Sequence, residues 1–440
     1  KKQIHVISTD TLVENPIVAQ WVDVSLRKMA EAAEAESLPF IPHRLTPTVQ
    51  DSFWVNLIGR GYPVPRPKFR WCTSRLKINA SNTFINELLK QHGETILVLG
   101  TRKAESSVRS ANMTKYEEIS TRELLSVNGN NPGSWVYTPI SDWTNDDVWL
   151  YTQQVKNPWG HKNVDLLTMY QGATEGGECP LVVDDSTPSC GDSRFGCYVC
   201  TMVEQDKSMT AMVQNDQEKE WMLPLMNFRN NWLDPKTDRQ YRDFRRMNGS
   251  LMVFNDRLVK GPYRQSFRET LLRELLIAQE EVKEFAPKDV EELELIRFEE
   301  LEEIRRIWVH EKLEIEDRLP EIYEEVLQEP YPGEDLDESK VLSTEQLQLL
   351  KDVCERMGDV DGYRYETLRS MLAIESNYRN HLKRVGIFEE LWKVLGKGVF
   401  ENEFDAEQFA LSRKEKVDAV GSEEPVGESQ RLFHNATSDY

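Results

Sequence analysis

The chain has 440 residues, and its 75 Asp and Glu against 54 Lys and Arg give a formal net charge of -21 at pH 7. This acidity excludes nucleic-acid binding through bulk electrostatics, so contact with DNA or RNA requires a local basic patch or a partner protein. No apolar run approaches the roughly 18 residues of a membrane span, and 6 cysteines are too few for a disulfide scaffold. We therefore expect a cytoplasmic globular protein with no membrane contact.

Residues 1–154 alternate strand and helix patterns. Apolar stretches predict strands at IHVIST, HRLTP, TILVLGT and WVYTPI. Helices are predicted at NPIVAQWVDVSLRKMAEAAEA with Asn15 as N-cap and Pro16 in the first turn, at SNTFINELLKQHG ending at Gly93, and at TNDDVWLYTQQ capped by Thr144. The pattern predicts an α/β fold with a twisted parallel sheet flanked by helices, in which ligands bind at the carboxyl ends of the strands.

Three further segments are predicted after this domain. Residues 155–210 are rich in Gly, Pro, Ser and Cys, and a loop region of this length is typically functional. Residues 211–340 are predicted to be mostly helical, with acidic helices and a small hairpin at NGSLMVFNDRLVKGPY. Residues 341–440 are predicted to be a helical C-terminal region whose tail is loosely ordered from about residue 412.

A cluster of cysteines is embedded in the loop region. It falls within 22 residues and consists of Cys179, Cys190, Cys197 and Cys200. The C-x-x-C spacing suits one metal centre, and Gly191 and Gly196 let the backbone bend around it. Four thiolates suit zinc or an iron–sulfur cluster, and the spacing does not separate the two. A redox pair or inert buried thiols are the alternatives.

A basic segment, RPKFRWCTSRLKI, spans residues 66–78 and contains Cys72. The neighbouring cations Arg70, Arg75 and Lys77 are expected to lower the pKa of the thiol and to favour the nucleophilic thiolate. The same cations suit phosphate groups. The alternative is a core cysteine beside a solvated basic face.

A second basic segment, LGTRKAESSVR at residues 99–109, follows a predicted strand. Arg102, Lys103 and Arg109 are placed after the carboxyl end of that strand, where cations suit a nucleotide phosphate.

Together these segments resemble a known superfamily. The STDT strand end, the W-C-T-x-x-L-K segment and the G-x-R-x-x-E-S turn are similar to the adenine-nucleotide alpha-hydrolases, which include phosphoadenosine phosphosulfate (PAPS) reductases and ATP pyrophosphatases. A closer resemblance, through VYTPISDWTNDDVW and SCGDSRFGCYVCTMVEQDKSM, is to the DndC family of DNA phosphorothioation sulfurtransferases. The superfamily's S-G-G-K-D-S phosphate loop does not occur in this sequence. IHVISTDT resembles its second strand, so we expect that loop upstream of Lys1.

The resemblance implies ATP-dependent insertion of sulfur into the DNA backbone. ATP would be split to AMP and pyrophosphate with Mg²⁺, and sulfur would replace a non-bridging phosphate oxygen. A cysteine desulfurase would donate the sulfur, and other phosphorothioation proteins would present the DNA. The resemblance leaves open which DNA motif is modified and whether one strand or both receive sulfur.

The resemblance also implies roles for individual residues. The ATP site would comprise Thr9, Asp10, Arg75, Lys77, Gly100, Arg102, Glu105 and Ser106. Arg102 and Arg109 would stabilise developing negative charge, and Asp10 is expected to face the nucleotide together with Arg102. Cys72, outside the four-cysteine group, is expected to accept the sulfur. A [4Fe–4S] cluster would be held by Cys179, Cys190, Cys197 and Cys200 in a cysteine-rich insert.

Two alternatives remain at this stage. One is a PAPS-reductase-like enzyme that acts on a small sulfonucleotide. The other is a non-catalytic scaffold subunit that carries an iron–sulfur cluster or zinc, for which the acidic helices would suit partner binding.

Overall fold

The computed structural model describes residues 2–120, 122–129, 131–174, 195–287, 290, 293–334, 342–379, 381, 383–398, 400 and 402–422. The chain divides into two compact units. The first combines Lys1–Gln240 with Gln265–Trp308 and Asp317–Glu334, and the second combines Tyr241–Arg264 with Val309–Glu316 and Asp335–Tyr440.

The strands of the first unit form two small sheets. Strand β1 (Ile4–Thr9) pairs in parallel with β2 (Phe40–Leu45). Strand β3 (Thr95–Val98) pairs in parallel with β5 (Ser134–Tyr137), and β5 also pairs antiparallel with β4 (Ser126–Val127). The α/β prediction is confirmed, but the single predicted sheet is divided, because β1 and β3 each pair on one side within the described residues.

Ten helices are described in the first unit. They are α1 (Pro16–Ala35), α2 (Asn79–His92), α3 (Ser107–Glu118), α4 (Asn145–Gln154), α5 (Asn163–Gly172), α6 (Lys207–Asn215), α7 (Leu223–Trp232), α8 (Gln265–Phe285), α9 (Phe298–Arg306) and α10 (Arg318–Leu327). The helix ends predicted at Asn15, Gly93 and Thr144 are confirmed. The Asn15 side chain accepts a hydrogen bond from the Ile17 N–H, Gly93 has a φ of 78°, and Thr144 forms a capping box.

A buried apolar segment at residues 53–58 lies at the centre of this unit. It overlaps a π-helical turn, Val55–Gly59, which packs against α8 and α9. The Trp54 indole N–H donates to the carbonyl of Leu295 at 2.6 Å, which satisfies its polar atom in the core. A Cβ at Gly59 would lie 3.2 Å from the Ile307 side chain, so this turn and the end of α9 approach closely.

In its described residues, the second unit consists of helices and one hairpin, joined by turns and loops. Strands β6 (Val253–Phe254) and β7 (Arg257–Leu258) form the predicted hairpin. The helices are α11 (Thr344–Arg356), α12 (Tyr363–Arg379), α13 (Ile387–Lys397) and α14 (Glu403–Ser422). Helix α14 extends to Ser422, past residue 412, from which the sequence predicts a loosely ordered tail. Helix α14 packs Ala406 and Ala410, one turn apart, into a core with Phe244.

No helix in the described ranges combines the length and the apolar character that crossing a membrane requires.

Candidate active site

A cavity of about 810 Å³ lies between the helix that carries Cys72 and the segment at residues 195–208. Three cysteines line it, Cys72, Cys197 and Cys200. Three cations line it as well, Arg70, Lys77 and Lys207. The volume falls within the range of small-ligand sites, which is about 300–1,000 Å³. The structure therefore brings Cys72 into the same cavity as the C-x-x-C pair, although the sequence separates them.

Backbone hydrogen bonds fix the C-x-x-C segment against the loop after β1. The Asn15 N–H donates to the carbonyl of Gly196 at 3.2 Å, and the Tyr198 N–H donates to the carbonyl of Val13 at 3.0 Å. Glu14 and Cys197 pair across this short antiparallel bridge. The end of the first strand thereby positions the cysteines, as expected for a site at the carboxyl end of a parallel strand.

The turn after the C-x-x-C pair is held by one buried arginine. The Arg229 guanidinium, 7% exposed, donates to the carbonyl of Cys200 at 3.0 Å and to the carbonyl of Glu204 at 2.7 Å, and it also bonds the carbonyl of Val203. Carbonyl acceptors at this turn balance the desolvation of the buried cation. Arg229 therefore fixes one wall of the cavity from behind.

Cys72 lies at the start of a π-helical turn, Thr73–Ile78, that continues into α2. The preceding Trp71 is 7% exposed, stacks on Phe53, and donates its indole N–H to the carbonyl of Pro63 at 2.9 Å. π-Helical turns occur frequently at functional sites, where they alter the direction of side chains. The anchored indole fixes the helix end that presents Cys72 to the cavity.

Lys77 and Glu14 form an ion pair beside the thiols. Lys77 Nζ lies 3.2 Å from Glu14 Oε1, and the Thr11 hydroxyl donates to the same oxygen at 3.0 Å. The Thr11 hydroxyl also lies 3.3 Å from Cys197 Sγ. Burial lowers the pKa of Lys77, but the charges of Cys197 and Glu14 outweigh this and the net shift is upward. Lys77 therefore stays cationic within the cavity.

The pKa values of two of these thiols, Cys72 and Cys197, are raised. Burial raises the pKa of the Cys72 thiol, and burial followed by the charge of Glu14 raises that of Cys197 to about 12. The expectation that neighbouring cations lower the pKa of Cys72 is therefore wrong. The physical reason is desolvation of the thiol by burial, and two of the three expected cations are paired with acids: Arg75 with Asp51 at 2.7 Å and Lys77 with Glu14 at 3.2 Å.

The predicted metal ligands are only partly described. Cys197 and Cys200 lie on one turn, in which the Cys200 N–H donates to the carbonyl of Cys197 at 2.9 Å. Both line the cavity, so these two soft donors fit a thiolate-bound iron–sulfur cluster or zinc. Cys179 and Cys190 lie outside the described residues. Within the described part of the chain, no group of three or more His, Cys, Asp and Glu side chains is arranged to hold a metal ion.

The predicted ATP-site residues have different partners in the structure. Asp10, 7% exposed, forms an ion pair with Arg44 and accepts the Leu12 N–H at 2.8 Å. Arg102 instead donates to Asn145 Oδ1 at 2.6 Å. Asp10 is thus paired with a cation on the adjacent strand β2, and its joint approach to a nucleotide with Arg102 stays a prediction. The Thr9 hydroxyl lies 3.2 Å from that of Ser81.

A second cavity of about 400 Å³ lies beside α3 and the small β3–β5–β4 sheet. Arg109 and Ser106 line it, and Ser106 caps α3 by accepting the Arg109 N–H at 3.1 Å. Glu105 forms ion pairs with both Arg102 and Arg109, so the second basic segment is an ion-paired group. A Cβ at Gly100 would make an ordinary contact of 3.7 Å with Ile140, so glycine is not required there.

The parallel strand pairs and the cysteine-lined cavity are typical of an α/β enzyme domain. Residues 47–202 match the sequence profile of the family described as the phosphoadenosine phosphosulfate reductase domain. Members of this family are enzymes that act on nucleotides. The match spans less than half of the chain, and it includes Cys72 together with Cys197 and Cys200. No match was found among curated proteins or among solved structures.

Three site residues escaped the sequence analysis. Thr11 and Glu14 follow the first strand, and the rule that ligands bind at carboxyl strand ends is the signal that points to them. Lys207 follows the cysteine segment in an otherwise acidic stretch, and it lines the cavity beside Ser208. No local pattern distinguishes Lys207 from a solvated surface lysine.

Proposed function

We propose that this protein is an ATP-dependent sulfurtransferase that forms phosphorothioates in the DNA backbone. The observation that carries the proposal is the cavity in which Cys72, Cys197 and Cys200 lie with three cations, within a stretch similar to a nucleotide-enzyme family. Thiols supply a sulfur carrier, and cations suit a phosphate acceptor. The resemblance to the DndC family of DNA sulfurtransferases indicates that the sulfur acceptor is a phosphate of DNA.

The reaction begins with activation of the phosphate. A non-bridging oxygen of a DNA phosphodiester attacks the α-phosphorus of ATP, and pyrophosphate leaves with its Mg²⁺. The DNA phosphate then carries AMP, so its oxygen departs as part of a stable leaving group. An unactivated phosphodiester oxygen leaves poorly, which is the physical reason that ATP is required.

Sulfur transfer follows at Cys72. A cysteine desulfurase partner loads Cys72 as a persulfide, whose terminal sulfur attacks the activated phosphorus while AMP leaves. A thiol reductant then supplies two electrons and cleaves the sulfur–sulfur bond. The products are the Cys72 thiol and the DNA phosphorothioate. Lys77 stabilises the anionic sulfur through its charge, because it is held as a cation in the same cavity.

The remaining predicted residues have supporting roles in the proposal. Arg102 and Arg109 would stabilise negative charge on the phosphates, and the other ATP contacts would come from the residues named for that site in the sequence. Cys197 and Cys200 would supply two ligands to a [4Fe–4S] cluster, with Cys179 and Cys190 as the other two. Such a cluster, when bound, supplies a rigid group of sulfur and iron atoms that braces the C-x-x-C turn.

The test combines the full chain with ATP, Mg²⁺, a cysteine desulfurase, cysteine and DNA, together with the other phosphorothioation proteins. Digested DNA is analysed by mass spectrometry for phosphorothioate dinucleotides, and pyrophosphate is measured in parallel. We expect both products, and omission of ATP should abolish both. Sulfur-free DNA with no pyrophosphate would overturn the proposal and favour a scaffold subunit.

A second candidate function is reduction of a small sulfonucleotide. The match of residues 47–202 to the PAPS reductase domain is the observation that favours it. Incubation with PAPS and a thiol reductant would then release sulfite without any requirement for DNA. Sulfite release without phosphorothioate formation would establish this second function in place of the first.

A further inference from the structure

We infer that Arg70 and Lys207 bind a backbone phosphate of DNA at the cavity that holds Cys72. This inference rests on the proposed function and names the residues that hold its macromolecular substrate. Both side chains line the cavity and both are exposed. They come from opposite walls, because Arg70 precedes the Cys72 helix and Lys207 begins α6 behind the cysteine segment.

Three other cations near Cys72 are already paired with acids. Arg66 bonds the buried Asp238 at 2.5 Å, Arg75 bonds Asp51 at 2.7 Å, and Lys77 bonds Glu14 at 3.2 Å. Arg70 shows no such acid among the described residues. A guanidinium with free donors on a cavity wall suits a phosphate oxygen, which it binds through two parallel hydrogen bonds.

The acids on the opposite wall are engaged as well. Glu204 forms an ion pair with Lys236 at 2.5 Å, and Asp206 accepts the Met209 N–H at 3.0 Å as the cap of α6. Lys207 is not paired with either of them in the structure as described. The described lining of the cavity thus presents unpaired positive charge in a chain of net charge -21, which is the kind of local basic patch that DNA contact requires.

Exposure favours a polymer over a free nucleotide at these two side chains. Arg70, Lys77 and Lys207 all reach solvent, but Lys77 is held by its ion pair with Glu14 beside the Cys197 thiol. A phosphodiester that enters from solvent would meet the exposed cations first and then approach Cys72. Lys68, two residues before Arg70, is also exposed and would lie near a neighbouring phosphate.

The test measures binding of a fluorescent DNA oligonucleotide to the full chain by anisotropy, without ATP or a sulfur donor. The variant combines Arg70→Gln with Lys207→Gln. The matched control combines Lys351→Gln with Lys416→Gln, which removes the same charge from exposed positions in the second unit. Salt is raised from about 50 mM to about 200 mM, because each phosphate contact contributes a slope of about -0.9 in log affinity against log salt.

We expect the wild-type and control proteins to lose about 3.5-fold more affinity over this range than the Arg70→Gln, Lys207→Gln variant, since the one phosphate that the two cations neutralise is no longer bound by that variant. Equal affinity and equal salt slope for all three proteins, or no binding by any of them, would overturn the inference. A variant that loses ATP binding but keeps DNA binding would overturn it too, by assigning the cations to a nucleotide.

The same variants separate this inference from the proposed function. If the variant forms phosphorothioates with an unchanged KM for DNA, the inference fails and the sulfurtransferase proposal stands. If wild-type protein binds DNA through these cations but forms no phosphorothioate, the binding site stands and the proposed reaction fails.

Discussion

The ammonium of Lys77 lies 3.2 Å from the carboxylate of Glu14, and the chain positions both groups beside the Cys197 thiol. Thr11 connects them, since its hydroxyl donates to Glu14 and lies 3.3 Å from Cys197 Sγ. Lys77 therefore has a fixed position in the cavity that also contains Cys72. A fixed cation beside sulfur nucleophiles stabilises anionic sulfur without reorganising during the reaction.

Removal of this cation should slow sulfur transfer. Lys77→Met should lower the single-turnover rate of phosphorothioate formation by at least about tenfold, which corresponds to a loss of about 1.4 kcal/mol of charge stabilisation. Glu14→Gln should cause a smaller loss, because Lys77 keeps its charge but loses its fixed position. Glu118→Gln, at an exposed position on α3, is the control and should leave the rate of phosphorothioate formation unchanged. An unchanged rate in Lys77→Met would show that this cation has no part in the chemistry.

Loss of the arginine behind the C-x-x-C turn should destabilise the first unit. Arg229→Met leaves the carbonyls of Cys200, Val203 and Glu204 without their donor. We expect the free energy of unfolding to fall by about 3 kcal/mol, because hydrogen bonds from a charged group contribute about 1.5–3 kcal/mol each. Urea titration measures this loss of stability as a lower urea concentration at the midpoint of unfolding. Arg27→Met, exposed on α1, should stay within about 0.5 kcal/mol of wild type, and an equal midpoint for both variants would refute the anchoring role.

The core indole at residue 54 offers a separate test of the fold. Trp54 is 1% exposed and donates to the Leu295 carbonyl, so Trp54→Phe removes packing volume and leaves a buried acceptor unsatisfied. The expected destabilisation is about 1–3 kcal/mol. Trp392→Phe is the matched control, since Trp392 is 71% exposed on α13 and its loss should have no effect on thermal unfolding. Comparable losses in the two variants would contradict the described core.

Anaerobically purified protein should be brown if the cysteine cluster binds iron and sulfide. Cys197→Ser should remove the visible absorbance and the bound iron, whereas Cys354→Ser should keep both, because Cys354 is buried in the second unit. Iron and zinc are measured by elemental analysis. Colourless wild-type protein with one zinc per chain would replace the iron–sulfur assignment by a zinc site.

The sequence was sufficient for features that depend on neighbouring residues. Asn15 and Thr144 cap helix N-termini and Gly93 caps a helix C-terminus. Each does so through contacts with residues two to four positions away, so these roles can be predicted from the sequence. The cysteine cavity depends instead on long-range backbone bonds, such as that between Asn15 and Gly196. No local pattern reveals that these bonds bring Cys197 to Cys72.

One expectation about the site failed because contacts distant in sequence outweigh the local pattern. The cations around Cys72 predict a lowered thiol pKa, but burial raises it, and Arg75 and Lys77 are paired with acids distant in sequence. The apolar TILV segment forms a predicted strand, and Ile96 and Val98 within it are 57% and 60% exposed in the described structure. Strand propensity is local, whereas burial depends on what packs against the strand.

The most direct test of the account is sulfur transfer by Cys72→Ser, with Cys354→Ser as the matched loss of a thiol outside the cavity. Each variant is incubated with the desulfurase, cysteine, ATP and DNA, and four quantities are measured: bound iron, phosphorothioate in DNA, pyrophosphate, and added sulfur on the peptide that carries residue 72. We predict that Cys72→Ser retains iron and pyrophosphate release but forms no phosphorothioate, while Cys354→Ser and wild type form it and wild type carries an extra sulfur atom on Cys72. Full phosphorothioate formation by Cys72→Ser would contradict the account and move the sulfur-donating step to the C-x-x-C cysteines.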